Sequence, residues 1–257
     1  MSKIEWTEDT LNCVTACSKI SEGCQHCYAE TMTRRLQAMG QEKYRNGFDQ
    51  VTIHPECLAS ILKRKRPTTY FVNSMSDTFH EDVSTEFIKQ IFDTMEIAYW
   101  HQFQVLTKRA VRLAELAPKL PWSENVWMGV TVESDKYLGR IDCLRGVPAA
   151  TRFLSLEPLL SPIPNLDLSG IDWVIVGGES GPKARPMAPE WVTDIRDQCT
   201  QSKVSFFFKQ FGHIRNNPDK NDPTHKKNGG KSKGGRRLDG RLWDEIPIKI
   251  PTMNPLE

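Results

Sequence analysis

No run of apolar residues in this chain approaches the roughly 20 needed to cross a bilayer as a helix, so an α-helical membrane span is excluded. The opening Met1-Ser2-Lys3-Ile4-Glu5-Trp6 has no apolar h-region, and no secretory leader is expected. Net charge is also nearly absent, at +2 over 257 residues. No internal repeat of 20–50 residues is visible, which excludes a solenoid or propeller. The cysteines lack the even spread of a disulfide scaffold: four of the seven, Cys13, Cys17, Cys24 and Cys27, fall in one short stretch. With 39% hydrophobic and 26% charged residues, a packed core is feasible and wholesale disorder is not expected. These features describe a soluble, cytoplasmic protein with no membrane partner, whose cysteines serve metal or redox chemistry.

The order of segments is strand then helix, repeated. Short β-rich runs occur at 69–72, 102–106, 126–132, 152–156, 173–176 and 204–208. Helical patterns lie between them, at about 27–39, 110–117, 135–145 and 189–200. Another helix, reaching about Ala98, is capped by Ser84. With one more strand before the cysteines, this predicts an α/β fold: a partial or complete (βα) barrel of about six or seven parallel strands. Chemistry in such folds sits where strands end. Here those ends carry Asn73, Ser76, Asp77, Thr107, Lys108, Thr131, Glu133, Ser155, Glu157, Glu179, Lys209 and Gln210.

Charge is unevenly distributed. Residues 213–257 hold 10 Lys/Arg against 6 Asp/Glu, and the rest of the chain holds 24 against 26. The stretch 226–241 carries Lys226, Lys227, Lys231, Lys233, Arg236, Arg237 and Arg241 among glycines, with Asp239 as its single acid. It reads as a mobile, basic loop that can follow a polyanion. The run Lys63-Arg64-Lys65-Arg66 reads as a solvated helix end.

Cys24-x2-Cys27 is a pair able to grip one metal centre, and a helix follows it directly. A helix N-terminus stabilises thiolates. Four cysteines suit structural zinc. Three leave one iron of a [4Fe–4S] cluster open to a substrate or cofactor. A bare redox thiol cluster is the third alternative.

Trp6, Asn12, Cys17, Gly23-Cys24 and Cys27-Tyr28-Ala29-Glu30 resemble the opening of a phage-associated bacterial family of unresolved function with a three-cysteine motif. Later blocks, namely Gln104–Arg109, Gly129–Glu133, Phe153–Leu159, Val176–Pro182, Ala184–Met187 and Phe208–Gln210, match it too. Cys13 and Ala16 stand where that pattern has Pro and Gly. The cysteines followed by (βα) units also resemble the radical S-adenosylmethionine (SAM) superfamily, with C-x6-C-x2-C here in place of the usual C-x3-C-x2-C.

The resemblance implies a [4Fe–4S] cluster on Cys17, Cys24 and Cys27, with Cys13 outside the ligand set. It implies SAM as cofactor, held by Gly177-Gly178-Glu179, with Asn73, Ser76, Thr131, Glu133 and Ser155 as further polar wall. The implied activity is reductive cleavage of SAM to a 5′-deoxyadenosyl radical that acts on a nucleic-acid or nucleotide substrate, with an electron-donor protein as partner. The implied organisation is a radical-SAM-like (βα) barrel domain over 1–212, followed by a basic, partly mobile tail over 213–257. Two other classes compete. One is a zinc- or cluster-stabilised, non-catalytic nucleic-acid-binding phage protein. The other is metal-free hydrolysis through Asp77, Glu133 or Glu157.

Overall fold

A computed structural model of the chain describes residues 4–181, 183–224 and 234–247. In chain order the strands are β1 (Asp9–Leu11), β2 (Val14–Thr15), β3 (Thr52–Ile53), β4 (Thr69–Val72), β5 (Gln102–Thr107), β6 (Val126–Thr131), β7 (Thr151–Leu156), β8 (Trp173–Gly177) and β9 (Ser205–Gln210). The helices are α1 (Tyr28–Ala38), α2 (Glu56–Lys63), α3 (Thr85–Ile97), α4 (Ala110–Leu116), α5 (Gly139–Arg145) and α6 (Pro189–Ser202). Seven strands share one sheet in the order β1-β4-β5-β6-β7-β8-β9, while β2 and β3 form a separate antiparallel pair. The order has two ends, so the fold is the α/β partial barrel rather than the closed one. Among the described residues no helix is long and apolar enough to cross a membrane.

The chain divides into two compact units. The first holds residues 4–130 and 143–151, with Asp9 paired against Tyr70, Thr69 against Gln102, and Phe103 against Val126, all parallel. Ser84 caps α3 by accepting from the Phe87 N–H at 3.2 Å. The apolar stripe of α3, namely Phe87, Ile88, Ile91, Phe92 and Met95, is buried. Phe92 meets Phe79 and Trp122 edge-on. The β2–β3 pair and α2 are too short to give a clear period in the sequence.

The second unit holds residues 131–142 and 152–247. Phe153 pairs with Trp173, and Trp173 with Ser205, again parallel. Strand β8 is buried at every position, as a strand covered on both faces must be. Trp173, Phe153 and Phe207 meet in its core.

Beyond Phe211 the text is polar, yet the described parts are well tied. The Asn217 amide donates to Asp222 at 3.0 Å and to the Gly234 carbonyl at 2.7 Å, and Asp222 accepts from the Thr224 N–H and hydroxyl. Asn217 and Asp222 are buried. Residues 213–224 and 234–241 are thus knit by Asx-type hydrogen bonds, which a search for apolar core does not detect. Lys226, Lys227, Lys231 and Lys233 lie outside the described residues.

One polar side chain closes the end of α3. The Asn125 amide donates to the carbonyls of Met95, Ala98 and His101 at 3.0–3.3 Å, and the Ala98 carbonyl also accepts from the His101 N–H at 2.9 Å. Asn125→Ala is expected to cost about 1–3 kcal/mol, read from urea unfolding. An unchanged midpoint would show that water replaces the amide there.

Candidate functional site

In the first unit the cysteine loop leaves β2 through Ala16, whose φ of 68° is left-handed. That conformation suits glycine, the residue of the family pattern at this point. Asn73, also left-handed at φ 57°, accepts from the Val14 N–H at 3.0 Å and donates to the Thr78 hydroxyl at 2.7 Å. The Ser76 hydroxyl donates to the Val14 carbonyl at 2.8 Å. Two residues expected to line a ligand wall therefore hold the root of the cysteine loop.

Cys17, Cys24 and Cys27 are each partly exposed. Burial and the nearby Asp77 carboxylate push the Cys17 thiol up to about 11, against the pull of Arg109. Burial also opposes ionisation of Cys24, but the Lys108 charge and backbone N–H donors at 20 and 21 outweigh it and lower that thiol. Cys27 is the N-cap of α1, at the positive end of an 11-residue helix. Cys13 lies apart. It is fully buried beside Cys57 and Lys43, and burial raises its thiol to about 12. The Lys43 ammonium donates to the Cys57 sulfur at 3.0 Å.

The loop is fastened by Arg109. Its Nε donates to Glu81, one terminal nitrogen to Cys17 Sγ at 3.5 Å and to Asp77 at 3.3 Å, and the other to the Ser18 hydroxyl at 2.7 Å. Asp77 further accepts from the Thr107 hydroxyl at 2.7 Å and from the Phe79 and Lys108 N–H groups. His80 Nδ1 accepts from the Asp82 N–H, so Nε2 carries the proton and faces the Ser18 hydroxyl at 2.8 Å. Burial and Arg109 lower the His80 pKa, in keeping with that neutral tautomer.

Among the described residues no three His, Cys, Asp or Glu side chains converge as ligands of one metal ion. A zinc ion needs that convergence, with each sulfur about 2.3 Å from one point. A [4Fe–4S] cluster does not, since each thiolate binds a different iron. Three thiols on one loop, with Arg109, Lys108 and a helix N-terminus as positive surroundings, are a donor set that fits the anionic cluster.

In the second unit each strand-end acid carries a cation. Glu133, fully buried, pairs with Arg140 at 2.7 Å, and Arg140 also donates to the Thr131 carbonyl. Glu157 takes Lys209 Nζ at 2.7 and 2.9 Å. Arg185 forks onto Glu179, with its Nε at 3.0 Å from one oxygen and a terminal nitrogen at 2.6 Å from the other, and its backbone N–H at 2.8 Å. The glycines before Glu179 meet protein: a Cβ on Gly177 would stand 3.1 Å from the Glu157 carboxyl carbon, and one on Gly178 would stand 2.3 Å from the Phe211 carbonyl oxygen. The Gly-Gly pair thus has a packing reason, and the expected ammonium acceptor is engaged by a guanidinium. Thr131 Oγ1 and Ser134 Oγ are buried without a hydrogen-bond partner, whereas the buried Ser155 lends its carbonyl to the Val132 N–H. Arg109, Arg140, Arg185 and Lys209 were not expected as partners. Arg109 and Arg185 do lie inside the blocks that carry the family resemblance.

In the described tail Arg236 pairs with Asp244 and Arg241 stacks over the Trp243 ring, while Asp239 takes Arg196 of α6.

Residues 1–247 match the family described as "Protein of unknown function (DUF5131)". No curated protein matches the chain. Among solved structures it is similar to a cysteine-to-serine mutant of spore photoproduct lyase, at 15% identity and a TM-score of 0.50, covering 88% of this chain and 68% of that one. A second match is a spore photoproduct lyase mutant with bound AdoMet and dinucleoside spore photoproduct, at 13% identity and a TM-score of 0.46, covering 87% and 67%. The first likeness establishes a common fold.

Two outcomes follow from the geometry. Asp77→Ala removes the acid beneath Arg109 and is expected to cost about 3 kcal/mol in urea unfolding, as for a broken buried ion pair. Gly178→Ala is expected to cost about 3 kcal/mol through backbone overlap, while Gly139→Ala, into open space, is expected to be neutral. Equal stability of the two glycine variants would show that the loop carrying Phe211 yields.

Proposed function

We propose, for a chain that belongs to the DUF5131 family, a radical-SAM-like enzymatic function carried by a [4Fe–4S] cluster on Cys17, Cys24 and Cys27. The observation that carries the reading is the cysteine loop itself. Three accessible thiols leave β2 together and end at a helix N-terminus, with Arg109 donating to the first sulfur, while Cys13 is buried elsewhere with Cys57 and Lys43. The fold shared with spore photoproduct lyase supports the same reading.

When bound, such a cluster offers an open iron to the amino and carboxylate groups of SAM and the electron that splits its carbon–sulfur bond, yielding a 5′-deoxyadenosyl radical. The chain's own contribution is support and charge. Asn73 and Ser76 fix the root of the loop, Asp77 orients Arg109, and Arg109 with Lys108 offsets the negative charge the thiolates gain. In the second unit the unpartnered Thr131 hydroxyl, Ser155 and Glu179 are the side chains assigned to the cofactor, Glu179 in competition with Arg185. The substrate is assigned to the nucleic-acid or nucleotide class, and the electron comes from a separate donor protein. Residues 213–257 are assigned to a basic tail beyond the catalytic segment 1–212.

Anaerobic reconstitution with iron and sulfide is the test. Ala at Cys17, Cys24 or Cys27 is expected to abolish the broad visible absorbance of the cluster and SAM cleavage together, while Cys13→Ala retains both. Equal loss on changing Cys13 would mean a site with four cysteines and no open iron. A colourless protein that binds one zinc would replace the enzyme reading with the structural one.

A further inference from the structure

We propose that the surface formed by the C-terminal end of α2 and the turn between α3 and β5 is an accessory docking site for single-stranded nucleic acid. This inference does not rest on the cluster or on SAM.

Lys63, Lys65 and Arg66 are exposed. Among the described residues none of the three has a carboxylate partner. Arg64, between them, is spent: it pairs with Asp9 at 2.9 Å and lies over the Tyr70 ring. The Trp100 indole N–H donates to the Arg64 carbonyl at 2.9 Å and so binds the two turns into one surface. Lys65 Nζ stands 5.1 Å above the Trp100 ring. Tyr99 is 44% exposed and meets Trp100 edge-on at 5.4 Å. Glu96 flanks one turn, and Glu8, whose carboxylate accepts from the Thr69 N–H at 2.7 Å, lies beside the other, so the three cations exceed these acids by one.

Two cations without a partner among the described residues, Lys63 and Arg66, with Lys65 over the Trp100 ring and Tyr99 exposed beside it, match a particular chemistry. The cations suit phosphodiester oxygens, and the ring suits the face of an unpaired base. An acidic peptide would use the charge and leave the ring idle. A duplex hides its base faces, so the fit is to a single strand. The place in the fold sets the role. Both turns precede their strands, β4 and β5, whereas the cysteine loop is rooted on residues 73–76 just past the end of β4. Strand β4 alone separates them by about 13 Å. The occupant is therefore held away from the cysteines, as a tether and not as the reacting group.

The basic tail makes the contrast. Of its described arginines, Arg236 is neutralised by Asp244 and Arg241 is stacked on Trp243, while its Asp239 takes Arg196 of α6.

The test is a fluorescence-anisotropy titration of a labelled oligo-dT of about 16 nucleotides at several salt concentrations, with the full chain purified anaerobically. The triple variant Lys63→Gln, Lys65→Gln, Arg66→Gln is expected to bind at least tenfold more weakly. Its plot of log affinity against log salt should be shallower by about 2, for three lost phosphate contacts. Tyr99→Ala is expected to bind about fivefold more weakly with the salt slope kept, because a ring releases no counterions. Unchanged affinity in the triple variant overturns the site. Competition by polyglutamate as strong as by unlabelled oligo-dT overturns it in favour of an acidic protein surface. Visible absorbance and unfolding midpoint, measured on the same samples, separate this outcome from loss of the cluster or of the fold.

Discussion

A buried guanidinium is the fixture on which the cysteine loop depends. The Arg109 side chain is only 4% exposed, so its charge must be matched and its donors filled. Asp77 and Glu81 supply the counter-charge, and Ser18 and Cys17 take the remaining donors. The requirement works in both directions. Satisfying Arg109 forces residues 17 and 18 against the end of β5, and keeping them there leaves the later cysteines at the start of α1. Asp77 is held in turn by the Thr107 hydroxyl and two backbone N–H groups, so the acid cannot swing away. Cys17 and Cys27 pack against the apolar cluster of Ala16, Ala29, Phe48 and Met75, and a buried polar network with its members satisfied gives the loop one defined path.

The second unit uses the same device differently. Glu133, Glu157 and Glu179 close their strands with Arg140, Lys209 and Arg185. Each acid is mostly buried, and its partner supplies the counter-charge that burial demands. Paired, they let polar chain ends lie close together. The approach is tight enough that Gly178 has no room for a side chain beside Phe211. Among the described residues of this unit the Thr131 and Ser134 hydroxyls, Gln210 Oε1 and Arg236 Nε are buried without a hydrogen-bond partner, and such an atom is where a water or ligand gains most.

How much of this was legible follows from sequence distance. Strands and helices with a clear period, such as α3 behind Ser84, are read directly because their cause is local. The cysteine spacing is local too. The partners of those cysteines are not: Arg109 reaches Cys17 across 92 positions. Glu157 and Lys209 are 52 apart, and each alone reads as an ordinary polar strand end. The Gly-Gly-Glu text has long-range contacts of its own that its local pattern does not announce. It invites a ligand reading, yet two of its residues meet neighbouring chain and the third meets Arg185. The segment after Phe211 misleads for another reason, since its order comes from Asn217 and Asp222 and not from apolar burial.

Charge obeys the same logic. What a cation offers a partner depends on whether the fold has already spent it, and composition does not report that. The described tail sets Asp244 against Arg236 and stacks Arg241 on Trp243, so part of its field is cancelled at short range. The four-residue run at the end of α2 has less charge in total and more of it available, because only Arg64 finds an acid. A long-range field for an anionic polymer comes from uncompensated charge, and at the end of α2 cations without an acid partner among the described residues sit near an exposed tyrosine.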